Sequence, residues 1–306
     1  MKSRKCSVKE QGFYGVYYPC PVLSHKGMIL MLGDSSDDLL VKTGVRFLHA
    51  LGCHVLAMSA GEKTYAYHSY PLERIEKAIG FLKSVSCTKT GIIGASTTAM
   101  IALTAASYLP ELTMTVAMSP SDFVMEGFLR DGKDGARERP ADGESTLTWK
   151  GKALPYLPYA YRHPDYWNHL EAEAKEERNL AAARKMFDES ERLHPLKEEE
   201  KIGVERIQGQ VFCIGAEDDT LWDTCRYIHR MQKRLSEHPH TCSFHALTYE
   251  HGTHFVFPQS MLKQILPIGS ELVVGLCFRA ARQYPKECTA ARKDIEDQLK
   301  RAIREW

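Results

Sequence analysis

Residues 90–110, TGIIGASTTAMIALTAASYLP, begin as a short apolar run, reach Gly94, place Ser96 two positions later, and continue as a long stretch of small and apolar residues. The pattern predicts a buried strand, a tight turn and a buried helix. The turn raises one question: Ser96 is either a small residue at a corner or an oxygen nucleophile held up at a strand-to-helix turn. Outward from this stretch the same alternation recurs. GMILMLG at 27–33 and CHVLAMS at 53–59 read as strands, and DDLLVKTGVRFLHALG at 37–52 and PLERIEKAIGFLKS as helices; TMTVAMS at 113–119 reads as another strand. Alternating strands and helices of these lengths build parallel β-α-β units, with helices covering both faces of the sheet. Ahead of them EQGFYGVYYPC reads as an edge strand or hairpin.

Between about 121 and 208 the alternation stops. This segment opens polar and Gly-rich (RDGKDGARERPADGES), passes through WKGKALPYLPYAYRHPDYW, and ends in the charged helix HLEAEAKEERNLAAARKMFDESERL. The rhythm then resumes with the strand QVFCIG at 210–215, the helix WDTCRYIHRMQKRLSE, the strand TCSFHALTY and a last helix around 270–284. The expected organisation is one α/β domain over 1–306, with a cap-like insertion at about 121–208.

Composition narrows the function classes. The 306 residues are 43% apolar, enough for a full core, and 40 basic against 39 acidic side chains leave a formal charge of +1. Such a balance gives no global field toward nucleic acid or an anionic surface. The charged start MKSRKCSVKE and the lack of a long uninterrupted apolar run lead to the expectation of a cytoplasmic protein without membrane insertion. The cysteines are nine, scattered, and without a C-x-x-C pair, so they read as reduced, buried small hydrophobes. Neither composition nor pattern bears on oligomeric state.

A serine hydroxyl is inert until a base takes its proton and donors receive the charge that develops on the substrate. Gly94-Ala95-Ser96-Thr97-Thr98 matches the G-x-S-x-G elbow except at its last glycine, and it has the required strand before it and helix after it. The fold that uses this elbow orders its partners as nucleophile, acid, histidine. Both partners follow in that order. VFCIGAEDDTLW ends a strand with Glu217, Asp218 and Asp219, and YEHGTHFVFP follows the next strand with His251 and His254 in a loop. Two imidazoles with no further ligand at spacing make a poor metal site, and no cofactor motif is present. The oxyanion donors expected are the backbone N–H of Thr97 and, from the loop GDSSDD, that of Ser35. Aromatic residues of the insertion (Trp149, Tyr156, Tyr159, Tyr161, Tyr166, Trp167) are expected to roof an acyl pocket, the alternative being a surface excursion that packs them on the sheet; Lys150, Lys152 and Arg162 read first as a solvated basic face and second as partners of a phosphate-bearing leaving group.

At these residues the chain resembles the α/β-hydrolase superfamily and, within it, the catalytic domain shared by acyl-CoA thioesterases and bile acid-CoA:amino acid N-acyltransferase. GIIGASTTAMIALTAASYLPELTMTVAMSPS is similar to that family's nucleophile strand, helix and next strand. STLTWKGKALPYLPY, IGVERIQGQVFCIGAEDDTLW and GTHFVFP resemble its aromatic-Lys-Gly segment, its approach to the acid, and its histidine loop. The resemblance covers roughly residues 25–280. It implies an α/β-hydrolase fold with Ser96 as nucleophile and His254 as base. Alignment from Trp222 selects Asp219 as acid, whereas counting from Gly215 selects Asp218; Asp219 is preferred because the tryptophan anchors it. Serine, where the acyltransferase branch has cysteine, implies transfer of the acyl group to water. The expected substrate is therefore a small-molecule acyl thioester; oxygen esters, a non-catalytic binding protein and an N-acyltransferase are the alternatives. Two departures stand out: the β-rich domain that precedes the catalytic one in eukaryotic relatives exceeds the ~26 residues ahead of the first strand, and Thr98 replaces the elbow's last glycine.

Overall fold

The structure of the chain, a computed structural model, describes residues 2–32, 35–61, 67–127, 143–161 and 165–306. In chain order the strands are β1 (Arg4–Cys6), β2 (Gly15–Tyr18), β3 (Lys26–Met31), β4 (Cys53–Met58), β5 (Tyr70–Pro71), β6 (Lys89–Ala95), β7 (Leu112–Met118), β8 (Leu147–Trp149), β9 (Lys152–Ala153), β10 (Gln210–Ala216) and β11 (Ser243–Tyr249). The helices are α1 (Val8–Gln11), α2 (Leu39–His49), α3 (Glu73–Ser84), α4 (Thr97–Tyr108), α5 (Asp165–Glu177), α6 (Arg184–Leu193), α7 (Thr224–Glu237), α8 (Gln259–Ile265), α9 (Ser270–Cys277), α10 (Arg279–Gln283) and α11 (Pro285–Glu305).

Eight strands form one sheet in the order β1-β2-β4-β3-β6-β7-β10-β11. From β4 to β11 every pairing is parallel. The Tyr-rich N-terminal segment makes the antiparallel β1–β2 edge, and β2 pairs antiparallel with β4. Successive residues of a strand face opposite sides of the sheet. Met28, Leu30, Val55, Ile93, Val116 and Ile214 therefore pack under α2 and α11, while Ile29, Met31, Leu56, Ile92 and Cys213 pack under α3, α4 and α7. Burial of both faces is what makes these strands read as continuous apolar runs.

The chain leaves the sheet after Met118 and returns at Gln210. In between, β8 and β9 form a hairpin joined to β5 in a small second sheet, and α5 and α6 follow. Helix α4 lies beneath this excursion: ten of its residues are buried, and its Ala and Thr side chains allow close contact with β6 and β7. The last helix expected around 270–284 is instead two short helices, α9 and α10, broken at Phe278, and the longest helix, α11, lies beyond it. Helix α11 closes one face of the sheet with Ile295, Leu299 and Ile303. No single helix among the described residues is long and apolar enough to cross a membrane.

Eight of the nine cysteines are buried and none is paired. Burial pushes the Cys53 thiol up to about 12 and the Cys87 and Cys288 thiols up to about 11, which keeps these groups uncharged and without nucleophilic character near neutral pH.

Candidate active site

The elbow is built by close approach and strain. Strand β6 ends at Ala95, and Ser96 adopts φ 60° and ψ −129°, a region that a residue with a side chain rarely enters. Such a conformation costs about 1–3 kcal/mol and persists only where its surroundings enforce it. Here the Ser96 amide donates to the Met118 carbonyl at the end of β7 (2.8 Å), and the Ser96 carbonyl accepts from Ala99 N–H (2.9 Å). Gly94 makes the turn possible, since a Cβ there would sit 2.0 Å from the Thr98 carbonyl oxygen and 2.8 Å from the Ala99 nitrogen. Both are backbone atoms, so Gly94→Ala is expected to destabilise the fold by about 3 kcal/mol or more. A urea-denaturation midpoint close to wild type would contradict that strand-helix geometry.

Thr98, the departure from the elbow pattern, has a defined place. Its hydroxyl bonds to the carbonyl oxygens of Met31 and Ala95 and accepts from Ala95 N–H. It ties the elbow to the end of β3, so the side chain that replaces the glycine braces the turn. Ser96 itself is half-buried. It stands at the carboxyl edge of the sheet, with the N-terminus of α4 directly behind it.

The acid and the histidine stand at the same edge. Asp219 is wholly buried after β10, and both its oxygens lie within hydrogen-bond distance of His254 Nδ1 (3.0 and 2.8 Å). The carboxylate also accepts from the Leu221 amide (2.9 Å) and the Thr224 hydroxyl (2.5 Å), so its lone pairs are satisfied without solvent. His254 Nδ1 is thereby committed to Asp219, while Nε2 is buried and has no hydrogen-bond partner among the described residues. Ser96 and the imidazole are not hydrogen-bonded to each other. The Trp222 ring stands perpendicular to the imidazole, 4.8 Å away and at 87°.

Ser119 joins the two halves of the site. It follows β7, donates its amide to the Ile214 carbonyl (2.8 Å) and its hydroxyl to the His254 carbonyl (3.1 Å), and accepts the Trp222 indole N–H (3.2 Å). Ser96 is bonded to Met118, the residue before it. The serine and the histidine are thus both fastened to the last turn of β7. Ser119 and Thr224 are side chains that sequence reasoning missed; nothing distinguishes them from other small polar residues after a strand or at the start of a helix.

Asp218, the other candidate acid, faces elsewhere. It receives the amides of Gly252 and Thr253 and contacts His251, not His254. The Thr97 amide, the first proposed oxyanion donor, begins α4 and has no acceptor among the described residues. The Ser35 amide, the second, donates to Asp38 Oδ2 (2.9 Å) at the start of α2, so this amide is occupied. Gly33 and Asp34 of the same loop lie outside the described residues.

The insertion's aromatics divide. Tyr166, Tyr159, Phe187 and Trp222 form a chain of ring contacts, each with centroids 5.3–5.6 Å apart, that ends on His254. Trp149 instead packs on Tyr108 at the far end of α4, 5.4 Å between centroids, about 18 Å from Ser96 at 1.5 Å rise per residue. Lys150 and Lys152 belong to the same hairpin as Trp149, at the Tyr108 end of α4. Arg162 lies outside the described residues. Among the described residues no group of three or more His, Cys, Asp or Glu side chains is arranged to hold a metal.

A mostly parallel sheet with helices on both faces, a positive-φ serine after a central strand, and an acid and a histidine following later strands define an α/β hydrolase. The family description "BAAT / Acyl-CoA thioester hydrolase C terminal" matches residues 70–261, more than half of the chain. The chain belongs to that family and is a hydrolase of the esterase and thioesterase type. Among solved structures it is similar to a protein assigned as a dienelactone hydrolase from Klebsiella pneumoniae (10% identity over 100% of this chain and 99% of that one, TM-score 0.50). It is also similar to the esterase Pf2001 of Pyrococcus furiosus (16% identity, 98% and 97% coverage, TM-score 0.47). At such identities the likeness concerns the fold alone. No curated protein sequence matches the chain significantly.

Proposed function

We propose that the protein is a serine hydrolase that cleaves an acyl thioester of the acyl-CoA type through Ser96, His254 and Asp219. The observation that carries the reading is the buried Asp219–His254 pair, whose unpartnered Nε2 lies at the sheet edge where Ser96 is held in a strained elbow. Ser96 Oγ attacks the carbonyl carbon as its proton passes to His254 Nε2, and the imidazolium is steadied by Asp219. The carbonyl oxygen becomes an oxyanion received by the Thr97 amide and a second amide of the loop after β3. The C–S bond then breaks, and the leaving sulfur takes the proton from Nε2. Water, deprotonated by the same nitrogen, attacks the acyl-enzyme; the ester C–O bond breaks, Ser96 regains its proton, and a carboxylic acid leaves. The hydrogen bond between serine and imidazole forms as the substrate binds, since such bonds are commonly loose before that.

A second reading, a carboxylesterase acting on oxygen esters, is favoured by one observation. Lys150 and Lys152, the described candidates for a phosphate-bearing leaving group, stand at the far end of α4 from the serine. Steady-state hydrolysis of an acyl-CoA series, short to long, against matching p-nitrophenyl esters separates the two. The first reading expects kcat/KM to favour at least one acyl-CoA. Absence of thioester turnover at every chain length, with ester turnover intact, would overturn it.

A further inference from the structure

We propose that Asp218 is a positioning residue that clamps the histidine-bearing loop and so aims His254, with no role as an alternative acid to the imidazole. The inference rests on the reading of Ser96, His254 and Asp219 above.

Adjacent in sequence, Asp218 and Asp219 face different partners. Asp219 is buried against His254 Nδ1. One oxygen of Asp218 accepts two consecutive backbone amides, those of Gly252 (3.0 Å) and Thr253 (2.7 Å), and the other lies 3.2 Å from His251 Nδ1. Two successive N–H groups converging on one carboxylate form an anion nest, and they fix the peptide planes leading into residue 254. Thr253 is wholly buried at φ +61°, a conformation unfavourable for a β-branched residue. Its hydroxyl accepts the Phe255 amide (3.1 Å), which locks the far side of the turn. His251 is held in turn by its ring, stacked 3.6 Å from that of Tyr284.

A loop held at a disfavoured φ relaxes when the group that holds it is removed. Released, it would swing the Cα–Cβ bond of His254 away from Asp219 and Ser96. Misplacement of a reacting group by about 1 Å can cost on the order of 10²-fold in rate. The clamp needs an oxygen acceptor at the Asp218 position and not a negative charge, so asparagine can serve there. At Asp219 it cannot, because the amide cannot hold the imidazole in the required tautomer.

The test is hydrolysis of p-nitrophenyl acetate and the rate of fluorophosphonate labelling in wild type, Asp218→Ala, Asp218→Asn and Asp219→Asn, with circular dichroism and melting temperature for each. Asp218→Ala should lower kcat about 10- to 100-fold at nearly constant KM, with labelling slowed in parallel. Asp218→Asn should rescue activity to within about fivefold of wild type, and Asp219→Asn should lose about 10³-fold or more. Asp218→Asn falling as far as Asp218→Ala, or a folded Asp218→Ala matching wild type, would overturn the inference. Should the alanine variant not fold, the contrast between the two asparagine variants decides: both impaired alike counts against the clamp. A wild type that neither turns over nor labels fails at Ser96, and removes the inference together with the reading beneath it.

Discussion

Ser96→Gly is expected to abolish ester and thioester turnover, by at least ~10³-fold, and at the same time to raise the melting temperature. The two effects have one origin. At φ 60° and ψ −129° the serine stores conformational strain of about 1–3 kcal/mol, held by the Met118 bond and by the contact between Gly94 and α4. Glycine enters this region freely, and its extra flexibility in the unfolded chain offsets only about 0.5–1 kcal/mol of the relief. A net gain of roughly 1 kcal/mol corresponds to a rise of about 1.5 °C in a chain of this length, at about 2.1 cal/mol/K of unfolding entropy per residue. Ser96→Ala, with the oxygen gone but the strain kept, should be equally inactive without the rise. Calorimetry and steady-state kinetics on the three proteins check both halves. Retained turnover in either variant contradicts the nucleophile's assignment, and an unchanged or lower Tm in Ser96→Gly contradicts the strain.

Asp219→Asn has the second large effect: kcat should fall about 10³- to 10⁴-fold with KM within a few-fold of wild type. The carboxylate is fully buried and already receives the Leu221 amide and the Thr224 hydroxyl, so an isosteric amide keeps the packing. What changes is the imidazole. An amide NH₂ facing Nδ1 obliges the proton to sit on Nε2, the nitrogen that must accept from the serine, and no negative charge remains to steady the imidazolium. A kcat within about tenfold of wild type would show that the pair does not act in the rate-limiting step.

How much of this was legible in the sequence follows from which physical signals are local. Parallel strands buried on both faces appear as uninterrupted apolar runs, so β3, β4, β6, β7 and β10 could be read residue by residue; the exposed edge strand β11 shows itself by alternation, and the aromatic N-terminal segment lies at the other edge. The elbow was legible because its chemistry is local: Gly94, Ser96 and the small residues of α4 act within one turn. Which of Asp218 and Asp219 meets His254 was not, because it depends on which carboxylate turns inward; Asp219 does, and the ring of Trp222, three residues further on, packs on the same imidazole. Helix α11 is hard to read from sequence although Cys288, Ala291, Ile295, Leu299 and Ile303 recur at helical spacing, because its many charged residues dilute the apolar stripe. The three-stranded sheet of β5, β8 and β9 is too short for any period to show. Trp149, expected over the active site, packs at the opposite end of α4, since a proline- and aromatic-rich excursion carries no periodicity from which its path could be read.

The most direct measurement is covalent labelling of the folded wild-type protein with a fluorophosphonate, followed by proteolysis and mass spectrometry of the modified peptide. The predicted result is a single adduct on Ser96, absent in Ser96→Ala and strongly slowed in His254→Ala. A folded wild type that remains unlabelled, or an adduct on another residue, would contradict the account.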